Sequence, residues 1–318
     1  MRKAISKISA KVPEFGIIIA LAVLMILTQI MNSNFLSAAN MTALLKSIPF
    51  VALVSLGSSL CLTVASLDIA CGRIAGLCGM VFGFTLTIMH LSLPVAILLG
   101  VATGLIFGIF HALMVVGAGI NAFVVTMGTL YVAGGCRYLI NHGDPMNLPA
   151  YYRNFSQASP LGVSWLFWIV VLIYIIVGFV EARTVFGRRL YAVGSNSEVA
   201  KLQGINVKFM RSCALILSGL FSGMAGVMAT IDINSSQAAT GTGWEFKAIA
   251  GCFIGGTSLS GGSGRAFGVA IGVFFVFILD NIINMMKISN YWSDVFTGAV
   301  LLLSVLFDVY RKSRKIKA

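Results

Sequence analysis

The strongest constraint in this sequence is a long absence of charge. From Ile74 to Cys136, 63 consecutive residues include no Asp, Glu, Lys or Arg. A helix rises about 1.5 Å per residue and a bilayer core is about 30 Å thick, so this stretch is long enough for about three crossings. Breaks at His90–Pro94 and Gly117–Asn121 divide it into spans near 74–90, 94–117 and 122–140. Further apolar runs with at most two charged residues each, near 16–31, 44–66, 162–180, 212–231, 247–258, 266–286 and 294–309, bring the expected total to about ten. The 247–258 run is short and glycine-rich, which predicts a broken or re-entrant segment.

Composition agrees. Only 10% of residues are charged and 58% are hydrophobic, with a mean hydropathy of +0.96. An ordinary soluble domain is about 25% charged. The expected class is all-α: a polytopic bundle of about ten transmembrane helices forming one domain over residues 1–318.

The net charge of +12 is not spread as a nucleic-acid-binding surface would need. Fifteen of the 22 basic residues fall in three stretches. Arg2, Lys3, Lys7 and Lys11 lie in the N-terminal tail, and Arg311, Lys312, Arg314, Lys315 and Lys317 at the C-terminus. Arg183, Arg188, Arg189, Lys201, Lys208 and Arg211 lie between the sixth and seventh spans. Ten crossings put all three stretches on one side, and the excess of Lys and Arg makes that side cytoplasmic. The N-terminal run Phe15–Met31 is 17 residues long, which favours a retained span over a cleaved signal.

Small residues four apart let helix backbones approach closely inside a membrane. Gly100, Gly104 and Gly108 form such a ladder, as do Gly219 with Gly223 and Gly268 with Gly272. The six cysteines are scattered through or beside spans without a CxxC pair, and are expected to pack as small apolar residues.

Two enzyme-like patterns fail on inspection. The run Gly255–Arg265 resembles a phosphate loop, but the chain has no Gly-Lys-Ser/Thr to reach a terminal phosphate. Gly261-Gly262-Ser263-Gly264 matches the G-x-S-G of intramembrane serine proteases, which need a later histidine as base. All three histidines, His90, His111 and His142, come earlier. The chain is therefore expected not to be an enzyme.

Ionisable and polar residues within spans mark candidate pathway or gating positions. Asp280, Asn281 and Asn284 are such candidates, Asp68 lies just beyond a span end, and Asn121, Phe123 and Thr126 at the start of the fifth span are counted with them. Asp68 and Arg73 fall at the expected inner end between spans two and three. Asp280 and Asn284 share one helix face, which suits either a polar passage or interhelical hydrogen bonds. So few such groups argue against an ion-coupled secondary transporter, the alternative reading.

Segment 181–211 is the most informative. Ser195-x-x-Glu198 reads as a capping box opening a short helix, and Gly204 as its left-handed stop. Val199 and Leu202 give that helix a small apolar face suited to a soluble partner.

This segment resembles the permease subunits of bacterial ABC importers for monosaccharides, of the ribose, galactose, arabinose and xylose type. Their FGR-x-x-x-A-x-G-x-N-x-x-A-A-x-x-x-G-I pattern appears as Phe186, Gly187, Arg188, Ala192, Gly194, Asn196, Ala200, Gly204 and Ile205. Val199 replaces the first alanine of the pair. Asn121–Leu130, Gly243–Ala250, Ile254–Gly262, Tyr291-Trp292 and Leu306-Phe307-Asp308 resemble further family segments. The departures are Asp68-Ile69-Ala70-Cys71-Gly72 for D-L-S-V-G, and His111 and Asp280 where Asn is common.

The resemblance implies a bacterial inner-membrane permease for a monosaccharide or similar small polar solute. It implies a second permease subunit, two cytoplasmic ATPase subunits and a solute-binding protein at the outer face. The 181–211 segment becomes the ATPase-coupling loop, with Phe186, Gly187, Arg188, Gly194, Asn196, Glu198, Ala200, Leu202 and Gly204 as its candidate residues. ATP and Mg are used by the partner ATPase, with no cofactor on this chain. The 141–161 loop, with Asp144, Pro145, Tyr151, Tyr152 and Arg153, becomes part of the outer face.

Overall fold

A computed structural model describes residues 15–149, 159–289 and 291–316. The N-terminal basic residues, Tyr151, Tyr152, Arg153 and Lys317 lie outside the described residues. The chain forms α1 (Phe15–Met31), α2 (Ala38–Thr63), α3 (Cys71–Thr87), α4 (Leu93–Ala112) and α5 (Ala122–Leu139). It continues with α6 (Trp165–Arg183), α7 (Val185–Ser195), α8 (Ser197–Leu202) and α9 (Val207–Ile233). It closes with α10 (Trp244–Ile254), α11 (Ala266–Met285) and α12 (Tyr291–Ile316). One two-residue ladder, β1 (Met146–Asn147) against β2 (Ser235–Ser236), ties the loop after α5 to the loop after α9.

Six segments are long and apolar enough to cross a bilayer alone: Ala38–Thr63, Leu93–Gly117, Ala122–Gly143, Trp165–Arg183, Val207–Ile233 and Ala266–Met285. The rest of the expected spans are shorter apolar helices, Gly16–Met31, Cys71–Thr87 and Trp292–Leu303, together with α10. The structure thus shows an all-α membrane bundle with six self-sufficient spans. The run expected at 247–258 is an 11-residue helix displaced to Trp244–Ile254. At about 1.5 Å per residue it is only about 16 Å long, half a bilayer core. Span two also ends earlier than expected: α2 stops at Thr63, and residues 66–70 are non-helical before α3 begins.

Helices α2 and α9 form the buried axis, while α4, α5 and α6 present exposed Leu98, Ile106, Tyr131, Leu172 and Ile175 around it. Lipid gives no hydrophobic reward for burying one helix against another, so close backbone packing must hold the axis. The glycine ladders do this. A Cβ on Gly104 would lie 2.4 Å from the Gly219 carbonyl, and one on Gly219 2.3 Å from that of Gly104. The ladder in α11 meets α10 in the same way, with Gly272 over the Gly251 carbonyl. All six cysteines are free thiols, four of them buried.

Candidate functional site

Helices α7 and α8 fold as one tightly seated unit at the basic end of the bundle. Thr184 caps α7 by accepting the Gly187 N–H at 3.3 Å, and Leu190 and Val193 point inward while Arg188 and Arg189 stay exposed. Phe186 is half-buried against the core. Gly187 lies over the end of α6, where a Cβ would come within 2.2 Å of the Glu181 carbonyl. Gly194 presses on the last residue of α2: a Cβ there would lie 1.7 Å from the Thr63 carbonyl oxygen. Residues that looked like sequence motif are positions where backbones touch.

The cap of α8 differs from expectation. Ser195 is the last residue of α7, and Asn196 is the cap, its Oδ1 accepting the N–H groups of Glu198 and Val199 at 3.1 Å each. The Asn196 carboxamide reaches both orphan donors from extended backbone, and Val199 rather than Glu198 then holds the third helical position, so no capping box forms. Gly204 does adopt a left-handed conformation, with φ +78°. Ala200 is buried against the bundle, whereas Val199 is 46% and Leu202 88% exposed. An exposed leucine beside an exposed valine in a basic segment is an apolar patch that no described residue covers.

The glycine-rich run 255–265 underlies this unit. Gly262 donates its N–H to the Thr63 carbonyl at 2.9 Å, and the Tyr191 hydroxyl donates to the Gly264 carbonyl at 2.7 Å. Burial pushes the Tyr191 hydroxyl's pKa up, so it remains a donor. Glu181, buried at the end of α6, accepts the Ala266 N–H at 2.8 Å and so satisfies the first turn of α11. The sequence singled out neither Tyr191 nor Glu181. Their partners are backbone groups about 70 to 85 residues away, which no local pattern records.

The proposed pathway residues separate into three groups. Asp68 is buried in the non-helical link before α3. Its Oδ2 accepts the Ser218 hydroxyl at 2.7 Å and its Oδ1 the Ala70 N–H at 3.0 Å, with His111 Nδ1 4.0 Å away. Thr126, also buried, donates to the Ala122 carbonyl at 2.9 Å and reaches the Leu67 carbonyl of that same link at 3.3 Å. Asn121 caps α5 through the Phe123 N–H at 2.9 Å, and Phe123 is exposed. Asp280 pairs with Lys247 of α10 at 2.5 Å and accepts from Ser293 of α12. Asn281 and Asn40 exchange amide hydrogen bonds at 2.8 and 3.0 Å. Asn284 is exposed, so the face it was expected to share with Asp280 is divided between a helix junction and the outside.

One group escaped the sequence reading. Arg73 and Arg137, which bracket the uncharged stretch, both donate to the Thr242 hydroxyl, at 3.2 and 3.0 Å. Arg137 is fully buried and also donates to the Thr240 carbonyl at 2.8 Å. Glu245, 1% exposed, faces Arg73 with Oε1 3.6 Å from its Nε. Residues 237–243, between β2 and α10, bring Thr240 and Thr242 to α3, where Gly72 and Gly76 leave room for the incoming backbone. Arg73 was assigned instead to the inner end beside Asp68. The mutual placement depends on residues 237–243 folding back against α3, which a hydropathy window cannot show.

Residues 40–305 match the profile of the family described as branched-chain amino acid transport system / permease component. The chain is also similar to autoinducer 2 import system permease proteins LsrC. That of Escherichia coli (strain K12 / DH10B) is 32% identical over 296 residues, covering 93% of this chain and 86% of the relative. The proteins of Shigella flexneri and Salmonella choleraesuis (strain SC-B67) are likewise 32% identical, over 93% of this chain and 86% and 85% of theirs. No solved structure matches.

Proposed function

This chain belongs to the family of branched-chain amino acid transport system permease components, a multi-pass inner-membrane subunit of an ABC importer, and from that premise we propose how it works. It forms, with a second permease subunit, the passage for a monosaccharide or similar small polar solute, autoinducer 2 being the solute named for its relatives. Ten helices cross or enter the bilayer, both termini are cytoplasmic, and residues 1–318 make one transmembrane domain. A solute-binding protein delivers cargo at the outer face. Hydrolysis of ATP with Mg takes place in two partner ATPase subunits and not on this chain.

The observation that carries this reading is the seating of α7 and α8. The unit exposes Val199 and Leu202 outward and presses inward on Thr63 and the 255–265 run. A partner gripping that patch acts on α2 through Gly194 and on α11 through Gly262 and the run that leads into it. Free energy reaches the permease only as a partner's differential affinity for two of its conformations. The unit is built to convert such a grip into helix movement.

The test is reconstitution of the permease with its ATPase and binding protein in proteoliposomes. ATP-dependent uptake of a labelled solute is expected, with none when the ATPase is omitted. Uptake driven by an ion gradient alone would overturn the proposal.

A further inference from the structure

Arg73, Arg137 and Glu245 bring three charged side chains together around Thr242. The depth of this group follows from α10. That helix is only about 16 Å long, and its far end runs into the 255–265 run at the α7 side. Glu245, in its first turn, therefore sits near the middle of a bilayer core of about 30 Å.

The charges do not balance. Glu245 is the only carboxylate among the described residues within ion-pair distance of either arginine, and it pairs with Arg73 alone. Arg137 has only neutral acceptors: the Thr240 and Gly134 carbonyls and the Thr242 hydroxyl. Glu245 Oε2, on a side chain 1% exposed, lies over the bare α-carbon of Gly72 and has no hydrogen-bond partner. Arg73 Nε lacks one too. One positive charge is in excess. An uncompensated charge in the membrane interior is strongly unfavourable unless water or a counter-charge reaches it.

The group also opens to one side. The Arg73 side chain is 26% exposed, and Thr242, which both guanidinium groups hold, is exposed. A guanidinium and a hydroxyl cannot face lipid tails at this depth, so that side borders water or another protein surface.

We propose that Arg73 and Thr242 line the solute passage, and that the surplus positive charge held by Arg73 and Arg137 forms a subsite for an anionic oxygen group of the cargo. This deepens the permease reading and rests on it. The chemical class is a polar solute bearing a carboxylate or a phosphate ester. A guanidinium meets either with paired N–H donors.

The test needs no knowledge of the natural cargo. Thr242→Cys in the assembled importer is labelled with an anionic and a cationic methanethiosulfonate of similar size. Each rate is divided by the rate for glutathione in solution. The anionic reagent is expected to lead by about tenfold, as a positive, water-filled cleft concentrates anions. Adding Arg73→Gln should bring the ratio near one, while Arg73→Lys should keep it. A millimolar sugar acid or sugar phosphate should slow labelling where the neutral sugar does not, and comparing the two distinguishes carboxylate from phosphate. Absence of labelling would mean that a protein surface, including the second permease subunit, covers the group, and would overturn the proposal. Equal normalised rates in the parent would overturn it as well. ATP-dependent uptake, measured separately, reports on the permease reading itself.

Discussion

Gly194 of α7 meets the Thr63 carbonyl at a distance that excludes any side chain, and the same oxygen accepts the Gly262 N–H at 2.9 Å. Three segments remote in sequence thus converge on one atom: the end of α2, the α7 unit and the run before α11. Replacing Gly194 by Ala must push α7 off this contact. Overpacking a tight site costs about 1–3 kcal/mol. The expected result is a lower melting temperature in detergent and ATP hydrolysis that no longer yields uptake. Unchanged uptake by Gly194→Ala would show that the contact does not transmit force.

Glu181 gives a second, chemically sharper test. Its carboxylate accepts the first free N–H of α11 from the end of α6. Glu181→Ala leaves that buried donor unpaired, at a cost of about 1–3 kcal/mol. Glu181→Gln keeps an oxygen acceptor and should retain most of the stability. Thermal unfolding of the two variants checks the order, and equal losses would point to the charge and not the hydrogen bond.

The exposed patch on α8 should behave in the opposite way. Leu202 is 88% exposed, so Leu202→Asp removes no packing within this chain and should leave its unfolding temperature unchanged. If the patch is the ATPase contact, burying a charge there costs binding. Co-purification of the ATPase should fall at least tenfold. Full recovery of the complex with Leu202→Asp would place the contact elsewhere.

Much of this architecture can be read from the sequence because lipid imposes simple rules. Uncharged length sets the spans, and glycines four apart mark where α4 meets α9 and α10 meets α11. The outline of the α7–α8 unit is equally plain, since Gly187, Gly194 and Gly204 each stand where a side chain or a right-handed backbone is not tolerated. The cap was misplaced by one residue because Ser195 and Asn196 are both good caps, and only the exit angle of α7 decides between them. The arginine group was missed for a different reason. Arg73, Arg137 and Glu245 are far apart in sequence, and what unites them is the re-entry of residues 237–243 beside α3. Composition cannot report a loop that folds back against a distant helix.

The same limit applies to Asp280, for which passage lining and helix bonding were equally compatible with the sequence. Its ties to Lys247 and Ser293 favour a joint among α10, α11 and α12. The two roles predict different outcomes for paired substitutions. Lys247→Met alone leaves an unpaired carboxylate within the bundle and should destabilise by about 3 kcal/mol, whereas Lys247→Met with Asp280→Leu removes both charges and should recover most of that loss. A joint requires only that the helices stay together, so the double variant should also transport. Thermal unfolding and ATP-dependent uptake are measured on the same preparations. A double variant that is as stable as the parent yet fails to transport would assign Asp280 to the passage.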